Sequence, residues 1–185
     1  MVFLGKHHHI MRPFLLFFIF TLFSCSKTTG LDIYEIARRG SVSEMETILK
    51  QNTSLINKKN KSGFTPLILA SYNNNKNIVS FLINKKANLN ELSDMGTALM
   101  AAAYKGNNEI SKALINNGAN VNSTDTNNTS ALHYACFFQN KELVKLLINK
   151  KAKINGKDNK GKTPLDYAIG HNNIELIKIL QQITN

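Results

Sequence analysis

From about residue 31 onward, short apolar stretches alternate with polar turns rich in Asn and Lys. The stretches are of two kinds. One is compact and contains small residues: Leu67-Ile68-Leu69-Ala70, Leu99-Met100-Ala101-Ala102 and Leu132-His133-Tyr134-Ala135. The other is bulkier: Ile78-Val79-Ser80-Phe81-Leu82-Ile83, Ile110-Ser111-Lys112-Ala113-Leu114-Ile115 and Leu143-Val144-Lys145-Leu146-Leu147-Ile148. Its apolar residues fall at i, i+3 and i+4, which places them on one face of a helix. Ala37, Ala70, Ala102, Ala135 and Ala168 recur about every 33 residues. Leu67, Leu99, Leu132 and Leu165 keep the same register, as do Asn57, Asn90, Asn122 and Asn155. A period of this size marks a solenoid, whose units bury their apolar faces against their neighbours. The pattern predicts an all-α repeat solenoid with an atypical opening unit at 31–57, internal repeats at 63–90, 96–122 and 128–155, and a closing unit at 161–183.

The starts and ends of the predicted helices carry their own signals. In Gly63-Phe64-Thr65-Pro66-Leu67 and Gly161-Lys162-Thr163-Pro164-Leu165, Thr65 and Thr163 suit the N-cap, where a side-chain oxygen accepts an orphan amide. Pro66 and Pro164 then take the first helical position, which needs no donor. Gly118 falls where a left-handed residue would end the second helix of its row. Lys86 and Lys151 hold the same place in theirs, at a cost of about 1 kcal/mol each.

These residues resemble the ankyrin-repeat pattern, a hairpin followed by Thr-Pro-Leu-His, paired small residues and an Ile-Val-Leu-rich second helix. The resemblance covers about residues 31 to 183. It implies a stack of helix-turn-helix units joined by hairpin loops, with protein binding rather than catalysis as its use. Gly96-Thr97-Ala98-Leu99 is one residue short and lacks Pro, Thr129-Ser130-Ala131-Leu132 also lacks it, and only His133 matches the family's His. That His ties neighbouring loops in the family, which implies a structural role for His133 and more loosely pinned central hairpins. The outward half of each first helix and the hairpin tips would form a concave face. On it fall Tyr72, Tyr104, Tyr134, Phe137, Phe138 and Tyr167, a candidate aromatic band for a protein partner.

The N-terminus has another character. Met11-Arg12-Pro13 precedes an apolar run from Phe14 to Phe23, the length of an export signal and about half the 20 residues a membrane-spanning helix needs. Leu22-Phe23-Ser24-Cys25 resembles the lipobox of bacterial lipoproteins. The resemblance implies removal of residues 1–24, acylation of Cys25 and a short tether at 25–30. At about 3.3 Å per residue the tether reaches at most about 20 Å, which keeps the folded body near the bilayer. Ser26 after the cysteine, by analogy with enteric lipoproteins, implies an outer-membrane location facing the periplasm.

Composition narrows the remaining classes. Lysine and arginine number 23 against 12 acids, a formal charge of +11. The Lys clusters at 58–61, 85–86, 150–153 and 157–162 offer contacts for peptidoglycan, anionic glycolipid or an acidic protein. Nucleic acid is not expected as a partner, because export removes it and no aromatic-basic recognition module is present. His133 and Cys136 share a predicted helix face, yet no third residue completes a nucleophilic site. Cys136 aligns with Ser71 and Ala103 and reads as a buried, inert thiol. The acids look scattered through solvent-like positions, with Asp94, Asp125 and Asp158 near hairpin tips as acceptors for backbone amides. No metal site, cofactor or small-molecule ligand is expected. The expected function is a membrane-tethered, non-enzymatic scaffold that binds another envelope protein. An inhibitor or immunity protein for a toxin or envelope enzyme, and a structural factor binding peptidoglycan or glycolipid, are the alternatives.

Overall fold

The computed structural model describes residues 32–184. The segment read as an export signal, Cys25 and the tether lie outside the described residues. Ten helices follow in five pairs: α1 (Ile33–Arg39) with α2 (Val42–Gln51), α3 (Pro66–Tyr72) with α4 (Lys76–Asn84), α5 (Ala98–Lys105) with α6 (Asn108–Asn116), α7 (Ala131–Phe137) with α8 (Lys141–Asn149), and α9 (Pro164–Gly170) with α10 (Ile174–Thr184). A 3-10 turn at Thr53–Asn57 follows α2. Isolated bridges Ser93–Gly96 and Thr124–Ser130 close two of the hairpin loops, and no longer strand forms among the described residues. The fold is an all-α repeat stack.

First helices pack on first helices, α1 through α9, and second helices on second helices, α2 through α10. Ala37, Ala70, Ala102, Ala135 and Ala168 lie wholly buried in the first layer, where a small side chain lets neighbouring helices approach. The second layer is filled by i, i+4 pairs: Ile78 with Leu82, Ile110 with Leu114, Leu143 with Leu147, and Leu176 with Leu180, all buried. Each such side chain contributes roughly 1.5–3 kcal/mol of transfer free energy. Cys136 shares its buried row with Ser71 and Ala103. The hydroxyls of Ser71 and Ser111 are buried without a hydrogen-bond partner.

Local chemistry sets the helix ends. Thr65, Thr97, Ser130 and Thr163 are N-caps whose hydroxyls accept the amide three residues on. Pro66 and Pro164 occupy the first turn. The residue at that third position often reaches back to the cap amide: Asp166 Oδ2 accepts from Thr163 N–H, His133 Nδ1 from Ser130 N–H at 3.1 Å, and Met100 Sδ from Thr97 N–H at 3.3 Å. Lys86, Gly118 and Lys151 adopt φ of 63°, 93° and 62°, the left-handed state that ends each second helix.

Asparagine joins the units. Asn57, Asn90 and Asn122 each accept, through Oδ1, a backbone amide of the following loop: Asn88 N–H at 2.9 Å, Asn120 N–H at 2.8 Å and Lys153 N–H at 2.8 Å. A second series starts the second helices. Asn75, Asn140 and Asn173 cap α4, α8 and α10. Their side-chain amides, and that of Asn107 before α6, donate to the preceding unit at Gly40 O, Asn108 Oδ1, Gln139 Oε1 and Ser71 O respectively.

The central hairpins are tied together. Thr126 Oγ1 donates to Asp94 O at 3.0 Å, Asn159 N–H to Asn127 O at 2.9 Å, and Asn128 Nδ2 to Lys157 O. Asp94 itself is not an amide acceptor. Because its hairpin is one residue short, Ser93 takes that place and exchanges backbone hydrogen bonds with Gly96 in a tighter turn.

Candidate functional site

The small and aliphatic residues of each first helix face the core, so its remaining side chains collect on the opposite face. In α7, Leu132, Ala135 and Cys136 are buried, and this leaves Tyr134, Phe137 and the capping Phe138 outward. Tyr72 ends α3, Tyr104 stands in the last turn of α5, and Tyr167 lies in α9. The six meet. Tyr104 is the hub, stacked on Tyr72 at 6.1 Å between ring centroids and edge-on to Tyr134 at 5.6 Å and Phe138 at 5.2 Å. Phe137 continues the row to Phe138 at 4.9 Å and Tyr167 at 5.7 Å. Pairs of this geometry contribute about 0.5–1.5 kcal/mol beyond area burial. Tyr104, Phe137 and Phe138 remain 40%, 44% and 43% exposed, whereas Tyr72, Tyr134 and Tyr167 are half-buried.

Two of the tyrosines also hold the hairpins. The Tyr134 hydroxyl donates to Asp125 Oδ2 at 2.6 Å, while Asp125 Oδ1 accepts Asn127 N–H and Thr129 N–H. One unit later the Tyr167 hydroxyl donates to Asp158 Oδ2, and Asp158 Oδ1 accepts Lys160 N–H and Lys162 N–H at 2.9 Å each. Asp125 and Asp158 are thus buried, contrary to the solvent-like placement read from sequence, because each carboxylate closes its loop from the inside. Burial, then the hydrogen bond to Asp125, raises the Tyr134 pKa far above its ordinary 10.0. The hydrogen bond to Asp158 raises that of Tyr167 to about 12. Burial opposes ionisation of Asp158, but the Tyr167 hydroxyl and the Lys162 and Lys160 amides outweigh it and the pKa is lowered. At neutral pH the tyrosines are protonated donors and Asp158 is a fixed anion.

His133 is buried at the root of the third hairpin. With Nδ1 accepting from Ser130 N–H, Nε2 is the donor to Gly156 O at 3.1 Å, so the ring is neutral and spans two units. Burial lowers its pKa from 6.5. Cys136 is fully buried, and burial pushes its thiol up to about 12. His133 and Cys136 therefore lack the ionised thiol that nucleophilic catalysis needs. No group of three or more His, Cys, Asp or Glu able to hold a metal occurs among the described residues, and no helix there is long and apolar enough to cross a membrane.

Two clefts flank Tyr104. The first, of about 270 Å³, lies between Phe64, Ile68, Met95, Met100 and Tyr72 and is chiefly apolar. The second, of about 280 Å³, runs under Phe138 and Tyr167 to Asn127, Asp158 and Lys160. Sequence reading missed Phe64 and Met95, which belong to hairpins. It also missed His171, whose ring meets Phe137 at 5.5 Å and extends the band. The register of His171, one unit after Phe138, was the available signal.

Family comparison agrees with this architecture: a model described as ankyrin repeats (3 copies) matches residues 33–125 and 99–184. The chain belongs to the ankyrin-repeat family. A search of curated proteins finds no significant match. Ankyrin-repeat proteins are generally non-enzymatic protein-binding scaffolds, and the partly exposed band runs over four consecutive ankyrin units.

Proposed function

We propose that this ankyrin-repeat protein is a membrane-tethered scaffold of a bacterial envelope, holding a protein partner against its concave aromatic band and hairpin tips. The carrying observation is the continuity of the band. Side chains from four successive units meet ring to ring, yet Tyr104, Phe137 and Phe138 keep a large part of their surface open to solvent. Rigid aromatic side chains lose little rotamer entropy on binding and often dominate an interface. The tethering half of the reading is supported by the sequence before residue 31, where the apolar run ends at Leu22-Phe23-Ser24-Cys25. Acylation of Cys25 would confine the search for a partner to the membrane plane, since several buried acyl chains hold firmly at about 0.8 kcal/mol per methylene.

Two measurements test the two halves separately. Affinity isolation from native envelope compares the wild type with Tyr104→Ala/Phe137→Ala; the wild type recovers a specific protein that the double variant does not. Recovery of the same proteins by both forms refutes the face. Metabolic labelling with an alkyne fatty acid marks the wild type and not Cys25→Ala, and label retained by Cys25→Ala refutes the anchor.

A further inference from the structure

The groove beside Tyr104 carries an electrostatic asymmetry. Its carboxylates are engaged. Glu35 lies outside both clefts and is paired with Arg39 and with Arg38, which lines the first. Asp125 and Asp158 each accept two backbone amides and a tyrosine hydroxyl. Asp94, on the short hairpin, is the exposed exception. The cations are differently disposed. Lys105 Nζ lies 5.0 Å over the Tyr72 ring, beside the apolar cleft, and Lys160 lines the second cleft. Lys162 Nζ lies 5.5 Å over Tyr167. None of the three makes a direct ion pair among the described residues, although Lys162 also helps hold Asp166 ionised. A cation held over an aromatic face beside an apolar cleft is positioned to meet a carboxylate that arrives with an apolar neighbour.

The clefts set the rest of the partner's chemistry. At about 270 Å³, with a floor of buried Ile68, Leu69 and Met100, the first admits one large apolar side chain; an apolar cavity of about 150 Å³ is known to hold benzene. Met95 stands half-exposed at its edge and can close over what enters, as an unbranched thioether does readily. The second cleft begins on the far side of the same ring, where Tyr104 meets Phe138.

We propose that the groove recognises an extended acidic segment of its partner protein, with one bulky apolar side chain in the Phe64–Met100 cleft and carboxylates meeting Lys105 and Lys160. This rests on the concave-face reading and specifies what the face selects. The probes are three dye-labelled ten-residue peptides added to the full-length protein: one with a central Phe flanked by Glu, one with that Phe replaced by Ala, and one with every Glu replaced by Lys. Fluorescence anisotropy reads affinity, and circular dichroism checks the fold of each protein variant. The Glu-Phe peptide binds at least tenfold more tightly than either control. Lys105→Glu/Lys160→Glu and Tyr104→Ala each weaken it by at least tenfold with helicity unchanged. Equal binding of the Lys peptide, equal binding of the Ala peptide, binding unaltered in the folded charge-reversal variant, or no binding up to millimolar peptide overturns the proposal. The broader reading fails differently. A native partner lost by Tyr104→Ala/Phe137→Ala but indifferent to the acidic peptide leaves the face in place and removes only this specificity.

Discussion

Gly96 stands close against the Met100 side chain, and replacing it with Ala tests the account of the short hairpin. Its φ is 91°, a backbone state that costs an L-residue about 1–2 kcal/mol. A Cβ there falls 2.6 Å from Met100 Sδ and 2.7 Å from its Cε. Met100 is buried and its sulfur accepts the Thr97 amide, so turning the thioether aside forfeits that hydrogen bond and disturbs its packing, while the Thr97 Oγ1 cap to the Met100 amide is kept. Over-packing of that kind costs about 1–3 kcal/mol. The two effects together predict a loss of about 2–5 kcal/mol, read as a lowered urea midpoint at unchanged slope. Gly118→Ala is the control. Its φ is 93°, but nothing lies within 4 Å of the new methyl, so only the backbone cost of about 1–2 kcal/mol applies. Equal losses in the two variants, or a Gly96→Ala protein within about 0.5 kcal/mol of wild type, would refute the steric argument.

Three further outcomes follow from buried groups. Ser71→Ala and Ser111→Ala remove hydroxyls buried without a partner and raise stability by up to about 1 kcal/mol each; a loss above that in urea melts would mean the hydroxyls are satisfied. His133 has a folded pKa below its ordinary 6.5 because it is buried, so the unfolded chain binds the extra proton and stability falls as pH drops below 6.5. His133→Gln flattens the urea midpoint between pH 7 and 5.5, and an unchanged slope there contradicts the assignment. The Cys136 thiol, buried and pushed up to about 12, reacts with a disulfide reagent at pH 8 only once the stack unfolds; prompt reaction in native buffer shows that it is accessible.

Much of the stack could be read from the chain because its core obeys a strict period. The five alanines and the second-helix Ile and Leu pairs are spaced so that one register buries all of them. The left-handed positions at Lys86 and Lys151 were readable for the same reason, through alignment with Gly118. The reach of individual polar side chains was not. Asp94, Asp125 and Asp158 look equivalent in register, but one missing residue puts Ser93 at the turn, where its hydroxyl donates to Gly96 O, and register does not reveal which way a carboxylate turns. The aromatic positions could be located, whereas the tyrosine bonds to Asp125 and Asp158 depend on loop geometry within a unit. The register of Asn57, Asn90 and Asn122 was visible in the chain, but not that their side chains, with those of Asn75, Asn107 and Asn140, tie adjoining units.

Those asparagine ties reach one unit and no further, as does the packing of each helix on its neighbours. A stack coupled in this way behaves as a row of dominoes bonded edge to edge, in which an alteration is felt next door and fades beyond. The first cleft draws on α3, α5, their hairpins and Arg38 of α1, and the second on α7, α9 and theirs, with Tyr104 and Tyr134 shared. Selection can therefore revise what one half grips while the other keeps its hold, and a partner surface that drifts in one place can be followed by exchanging one or two side chains.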